Sequence, residues 1–375
     1  MSDDISANHV ESLSRLCEVF AKLPDVRQPG KVSHPLGEVL ACAFCSMICG
    51  YSTFTGMGTF AESQLSWLRK FLKLERGAPS HDTFRNVFTA LNPDAFAAAL
   101  AAWAGDLYGK HLAIDGKTIR GTGVHMLRAW VDDISISAGQ VACEKHSNEI
   151  KAIPRLLDGL ALRGTTVSID AIGCQTEIAS QIDAAGGRYL LALKGNQHDA
   201  HKVVRDHFEK TEDLASARSE EFVRGRHEVR TCVVEHDLGF FGKSWKWAGL
   251  TCVVRVCAEV CRSGGLGTDG AEATKEDRFY LCSLPPEEAT AEALLNLVRA
   301  HWSVENRCHW TLDVVFGEDA CPVRDKIAAR NLSTMRGMVM HLLRNDPVKG
   351  SLKSKQQRAA LDPSYRTKLI SKLHT

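Results

Sequence analysis

Two aspartates close short apolar runs: Asp115 ends HLAID and is followed by GKTIRG, and Asp170 ends TTVSID and is followed by AIGCQ. An acid at the carboxyl end of a strand reaches a ligand without crossing the core, so such positions favour function, although Asp also serves there as a turn former. A third acid, Glu305, lies in HWSVENRCHW, a helical stretch beside His301, Asn306 and His309. Apolar residues Leu294, Leu295, Leu297, Val298 and Trp302 would seat that helix on a sheet and aim Glu305 at its edge. Three converging carboxylates suit Mg²⁺ or Mn²⁺, and two such ions about 3.5–4 Å apart clamp an in-line phosphoryl displacement. Without metal, carboxylates this crowded raise one another's pKa.

Other acids compete for the third place, namely Glu318 and Asp319 in FGEDA and Glu144 and Glu149 in CEKHSNEI. Glu305 is preferred for its polar and aromatic neighbourhood. Trp302 and Trp310 in the same segment are read as core residues. LALKGNQ ends another strand and sets Lys194, Asn196 and Gln197 on the same predicted edge, where a Lys and two amides suit phosphate and base-edge contacts.

The elements that must position these residues fall into three stretches. Residues 9–105 carry apolar residues at helical spacing in VESLSRLCEVFAKL, LGEVLACAFCSMICG, FAESQLSWLRKFLKL and AFAAALAAWAGDLYG, with Ser80 or Asp82 as an N-cap. From His111 the period shortens: HLAID, MLRAWV and GQVACEK read as an antiparallel meander. The helix NEIKAIPRLLDGL then permits a parallel crossover to TTVSID, so the sheet is expected to be mixed. Residues 222–283, with HEVRTCVVEHD, LTCVVRVCAEV, the turn RSGGLGTDG and DRFYLCSL, read as a β-rich insertion. Pro285 and Pro286 then open the helical run EEATAEALLNLVRAHWSVENRCHW. Three domains are expected: a helical one over 1–105, an α/β one over 106–345 carrying the insertion, and a basic tail over 346–375.

Composition restricts the partners. With 375 residues, 44% hydrophobic, 24% charged and a net charge of +1, the chain is an ordinary globular protein without a global field to attract a polyanion. Charge is instead local: twelve Lys and Arg face three acids between Arg324 and Thr375, an asymmetry that suits polyanion contact. The thirteen cysteines lie mostly in apolar runs, and no secretory leader pattern is present, so free thiols in a reducing compartment are expected. Cys42, Cys45 and Cys49 share one helix face among Leu, Phe and Met, as core residues do, and Cys257 with Cys261 has no second pair for zinc. The apolar stretch Val39–Cys49 is too short to span a bilayer.

The blocks LAIDGKTIRG, EKHSNEIKAIPRLL, VSIDAIGCQ, YLLALKGNQ, AHWSVENRCHWTLDVVFGEDA and ARNLSTMRGMVMHLLR, in this order, closely resemble bacterial insertion-sequence transposases of the DDE class, of the H-repeat-associated type. DVRQPGKVSHPLGEVL and PSHDTFRNVF resemble the helical region associated with them, so the likeness spans nearly the whole chain. The resemblance implies an α/β, RNase H-like mixed sheet flanked by helices, with Asp115 and Asp170 on neighbouring strands and Glu305 on the helix after the insertion. It implies two Mg²⁺ or Mn²⁺ ions held by those three acids, phosphodiester hydrolysis at an element's double-stranded DNA ends, and transfer of the freed 3′-hydroxyl to target DNA. Synapsis of two ends implies a homodimer, in the bacterial cytoplasm on the nucleoid. DNA contacts are expected from Lys117 and Arg120, from Lys194, Asn196 and Gln197, from His301, and from Arg324, Arg330 and Arg336 in the basic region. The wider superfamily has a Tyr and an Arg seven and four residues before the Glu and a Lys seven after. Here these are Val298, His301 and Leu312, which weakens any fixed phosphate clamp and leaves the hairpin-forming route open. Two alternatives stand beside this: a metal-dependent nuclease that does not rejoin DNA, and a DNA-binding protein whose acids are remnants. A zinc-dependent regulator is a more distant third.

Overall fold

The computed structural model describes residues 16–101, 105–143, 149–211, 214–223, 226–242, 245–262 and 273–372. Glu144, the start of the VESLSRLCEVFAKL run, residues 102–104 and most of the RSGGLGTDG turn lie outside the described residues. The chain divides into two compact units, one of residues 1–105, 116–144 and 305–375 and the other of 106–115 and 145–304.

After a helical stretch over residues 16–21, the first unit has helices α1 (Leu36–Ile48), α2 (Phe54–Ser63), α3 (Leu65–Leu68), α4 (His81–Ala90) and α5 (Pro93–Ala101). Every residue of α1 is buried, including Cys42 and Cys45, which its apolar sequence anticipates. Ser80 caps α4, accepting from the Thr83 amide at 3.3 Å. Strands β1 (His111–Ile119), β2 (Val124–Val131) and β3 (Ile136–Cys143) follow, β2 lying between the other two and antiparallel to β3, as a meander requires.

In the second unit α6 (Glu149–Asp158) carries the chain over to β4 (Thr166–Ile169), which pairs in parallel with residues 111–114 of β1. After α7 (Thr176–Ala184), β5 (Arg188–Leu193) adds in parallel to β4. α8 (His198–Phe208) leads to β6 (Ser216–Val223), β7 (Arg226–Glu235), β8 (Cys252–Arg262) and β9 (Ala273–Cys282). The order in this unit is β1-β4-β5-β9-β8-β7-β6, with the last four strands antiparallel. The β-rich segment therefore begins at Ser216 and continues the mixed sheet through the β5–β9 pairing. α9 (Ala291–His301), capped by Thr290, lays Leu294, Leu295 and Val298 on a core with Cys232, Val254, Tyr280 and Cys282. Burying a side chain of this size contributes roughly 1.5–3 kcal/mol, so the helix is held firmly over the sheet.

The first unit resumes with a π-helical turn, Val304–His309, then α10 (Trp310–Val314), α11 (Lys326–Arg344), α12 (Leu352–Leu361) and α13 (Pro363–Ser371). Helix α11 is buried along most of its length and packs on α4, α5, β2 and β3. Residues 346–372 are not a free basic tail. Gln356 donates to the Met47 carbonyl, Arg366 lies 4.0 Å over the Trp67 ring and donates to Gln64 at 2.8 Å, and Lys355 donates to the carbonyls of Leu343 and Asp346. Among the described residues no helix is long and apolar enough to cross a membrane.

Candidate active site

The register of β1 and β4 pairs Ala113 with Ser168 and Ile114 with Ile169, so Asp115 and Asp170 are the next residues on two adjacent parallel strands. Alternation along a strand puts Asp115 on the face of His111 and Ala113, and Asp170, whose backbone is still extended, on the face of Ser168. That face is the one α9 covers. His301, the last residue of α9, meets the Ser168 hydroxyl through Nδ1 at 2.7 Å, and His111 Nε2 meets the same hydroxyl at 2.7 Å. One hydroxyl thus bridges β1, β4 and α9 directly below the two aspartates. Enclosure pushes the His301 pKa down to about 4, so its imidazole is neutral and acts as a hydrogen-bonding post.

Asp170 caps the turn Ala171–Gly173, accepting from the Ile172 amide at 3.2 Å. Gly173 is obligatory there, because a Cβ would lie 2.3 Å from Ile169 Cγ2 and 3.0 Å from Ile153 Cδ1. The Asp170 side chain is exposed, yet the packed chain around it strips part of its hydration, and this is the largest influence raising its pKa above 3.8. Glu149, the first residue of α6, raises it further, while the Ile172 and Gly173 amides and Lys194 pull it down. Glu149, a competitor in the sequence for the third acidic place, is therefore a near neighbour of Asp170. The loop after β5 is tied to the same turn: Asn196 donates to the Ala171 carbonyl at 2.6 Å and Gln197 to the Cys174 carbonyl at 2.9 Å. These amides shape the edge, and Lys194 beside them is exposed.

Glu305 is exposed within the π-helical turn that follows α9 by three residues. Such widened turns alter the direction of side chains and recur at functional sites. Among the described residues no group of three His, Cys, Asp or Glu is gathered as a ready metal-binding set. Asp115 and Asp170 are carboxylates, the donor type that Mg²⁺ or Mn²⁺ prefers.

The competing acids in FGEDA have other partners. Glu318 is completely buried and receives Ser333 at 2.6 Å, Lys117 at 3.2 Å and Arg128 at 3.5 Å, with Arg336 at 3.9 Å. Burial is the strongest single influence and acts to raise its pKa, but Arg128, Arg336 and Lys117 together outweigh it and hold the carboxyl at about 2. Asp319 pairs with Lys117 and Arg120, and Asp313 lies 2.5 Å from Lys117.

This network bears on the expected DNA contacts. Arg336 is only 1% exposed and Lys117 is surrounded by three acids, so both charges are spent internally and neither faces a ligand. His301 is neutral and committed to Ser168, and Arg330 is paired with Asp94. Arg120, 86% exposed at its side chain, and Arg324 reach solvent. The expectation of buried tryptophans is corrected as well: Trp302 is 42% exposed under the Arg278 guanidinium, and Trp310 is 56% exposed. Helical spacing marks an apolar residue without saying whether anything packs on it. All thirteen cysteines are free thiols.

Comparison with known proteins gives the family. A family model described as "Transposase DDE domain" matches residues 109–342, and one described as "DDE_Tnp_1-associated" matches residues 17–104. The chain is 33% identical to "H repeat-associated putative transposase YhhI" of Escherichia coli (strain K12), over 96% of this chain and 98% of the relative. It is equally similar to "Putative protein YbfL" of the same strain, with the same coverage, and 40% identical to "Uncharacterized protein in dhlA 3'region" of Xanthobacter autotrophicus, over 63% of this chain and 86% of the relative.

Proposed function

Since this chain belongs to the DDE transposase family, we propose that it binds the double-stranded ends of its own mobile element, cuts them, and joins the freed 3′-hydroxyls to target DNA. The observation that carries this reading is the pair Asp115 and Asp170, each the next residue after the parallel pairing of β1 with β4 and on the face that α9 covers. Glu305 follows His301, the residue that ties α9 to β4, by four positions, about one helical turn, and is proposed as the third acid. On this reading the core is RNase H-like and Asp115, Asp170 and Glu305 hold two divalent ions, Mg²⁺ or Mn²⁺. When bound, the ions supply the positive charge that activates the attacking oxygen and stabilises the leaving one.

The chain's own residues do the rest. Asp170 must be ionised to serve, and Lys194 with the Ile172 and Gly173 amides favours that state against burial and Glu149. The Ser168 hydroxyl, held by two imidazoles, fixes α9 relative to β1 and β4. Lys194 and Arg120 are proposed to meet phosphates; Arg324 is placed with them, and residues 17–104 are proposed to assist end binding. Synapsis of two ends calls for two copies, acting on DNA in the bacterial cytoplasm.

The test is incubation of the purified protein with its gene's flanking DNA and Mg²⁺ or Mn²⁺, beside Asp170→Asn, mapping 3′ ends and joined products. Metal-dependent cutting with joining, lost by more than about 100-fold in the variant, is expected, since even an outer-shell change near a metal costs roughly 10–100-fold. Cutting without joining would indicate a nuclease, and tight binding without cutting a DNA-binding protein only.

A further inference from the structure

Trp310 and Val314 are 56% and 59% exposed, four residues apart on α10, and Asn306 stands four residues before Trp310 in the π-helical turn. Residues at this spacing share a helix face. That face forms one wall of a groove of about 790 Å³, whose other wall is Arg344, Asn345 and residues 350–353, all in the same compact unit. The volume lies within the roughly 300–1,000 Å³ usual for ligand clefts.

The groove is positively charged. Arg307, Arg344, Lys353 and Lys355 line it against Asp133, Lys355 being committed to the carbonyls of Leu343 and Asp346. Arg307 is balanced by Asp132 at 2.6 Å. Arg344 donates to the Thr311 hydroxyl at 2.7 Å and to the Arg307 carbonyl, both neutral acceptors, while its buried Nη1 has no hydrogen-bond partner among the described residues. Burial first, then the charge of Arg307, depresses its pKa against the weaker pull of Cys308 and Asp132, and its guanidinium lies 5.5 Å over the Trp130 ring. Lys353 is exposed and forms no ion pair among the described residues. An exposed indole in a groove also lined by Arg344 and Lys353 is poorly matched to an apolar protein partner, which would have to bury those charges. It matches a polyanion that also offers flat apolar faces. In a duplex the base faces are stacked on one another, whereas an unpaired strand presents them.

We propose that this groove binds an unpaired stretch of DNA strand, with a base stacked on Trp310 and phosphates on Arg344 and Lys353. The proposal rests on DNA being the substrate, and it adds a second contact for that substrate, which starts at Asn306, next to Glu305 in the chain.

The test uses the full-length protein in EDTA, so that no cleavage occurs, with a single-stranded 12-mer carrying 2-aminopurine and the matching duplex. Binding is followed by anisotropy and stacking by 2-aminopurine quenching. Wild type is expected to bind the single strand and to quench it, and to leave the duplex unquenched. Trp310→Ala is expected to lose the quench and about 5- to 150-fold in affinity, the range for one stacked base, while Trp310→Phe retains most of both. Lys353→Ala is expected to keep the quench and lower the salt slope by about 0.7. Trp310→Ala binding and quenching like wild type would overturn the proposal, as would a single strand bound without quenching. Self-association abolished by Trp310→Ala would instead give this face to a second copy, and also overturn it. Failure here with metal-dependent joining intact removes the groove alone; strand binding without cleavage removes the transposase reading and leaves the groove.

Discussion

Asp170 illustrates how a residue suited to metal is disfavoured without it. Its raised pKa means that the fold prefers the protonated form, so its contribution to stability is present at low pH and is lost as pH rises through the raised value. In EDTA at pH 7, Asp170→Asn is therefore expected to raise Tm slightly, with the gain vanishing as pH falls and wild type protonates. Adding Mn²⁺ should reverse the order. A ligand bound only by the folded state at 100 times its Kd contributes about 2.7 kcal/mol, which wild type gains and the Asn variant forgoes; equal Mn²⁺ shifts in both proteins would remove Asp170 from the metal site. Ser168→Ala makes the complementary case. Two imidazole nitrogens lose their partner, at a cost of about 1–3 kcal/mol, and DNA cleavage should drop while DNA affinity stays, because Ser168 positions α9 without touching the ligand.

At the scale of elements, β1, β2, α11 and the FGEDA loop are joined by one buried carboxylate. Glu318 faces three cations, so Glu318→Gln leaves Arg128, Arg336 and Lys117 buried around a neutral amide and is expected to destabilise the protein by about 3–5 kcal/mol. Because its folded pKa is depressed to about 2 from an ordinary 4.5, its stabilisation is full above pH 4.5 and is lost as pH falls towards 2. Acid titration followed by near-ultraviolet circular dichroism should show a loss of tertiary signal in that window, and the Gln variant should lack that component. The π-helical turn between α9 and α10 belongs to the same scale: it separates a helix buried on its sheet from one that exposes Trp310 and Val314.

At the scale of the whole molecule, the C-terminal basic residues serve the fold before any ligand. Arg366 is 0% exposed against Trp67, and Lys372 and Tyr365 both reach Asp346. Deleting residues 347–375 is thus expected to impair folding of the helical unit, seen as lost thermal cooperativity, and not merely to weaken DNA binding. A truncated protein that melts like the full chain and loses only salt-dependent affinity would return this segment to the role of a tail.

Helix faces and the parallel crossover were legible in the chain because they depend on local periodicity, and so was the setting of Asp170 just past the end of β4; Asp115 instead lies mid-strand, because β1 runs on to Ile119 beyond its pairing with β4. The order of motifs also carried the family. What the chain could not reveal was which charges are used up. Lys117 lies some two hundred residues before Glu318 and Arg336, and only tertiary packing makes Glu318 the counter-ion of both. Nor could helical spacing distinguish Val298, which meets the sheet, from Trp310, which meets solvent. Periodicity is a property of neighbours along the chain, whereas burial and charge compensation are settled by groups hundreds of residues away.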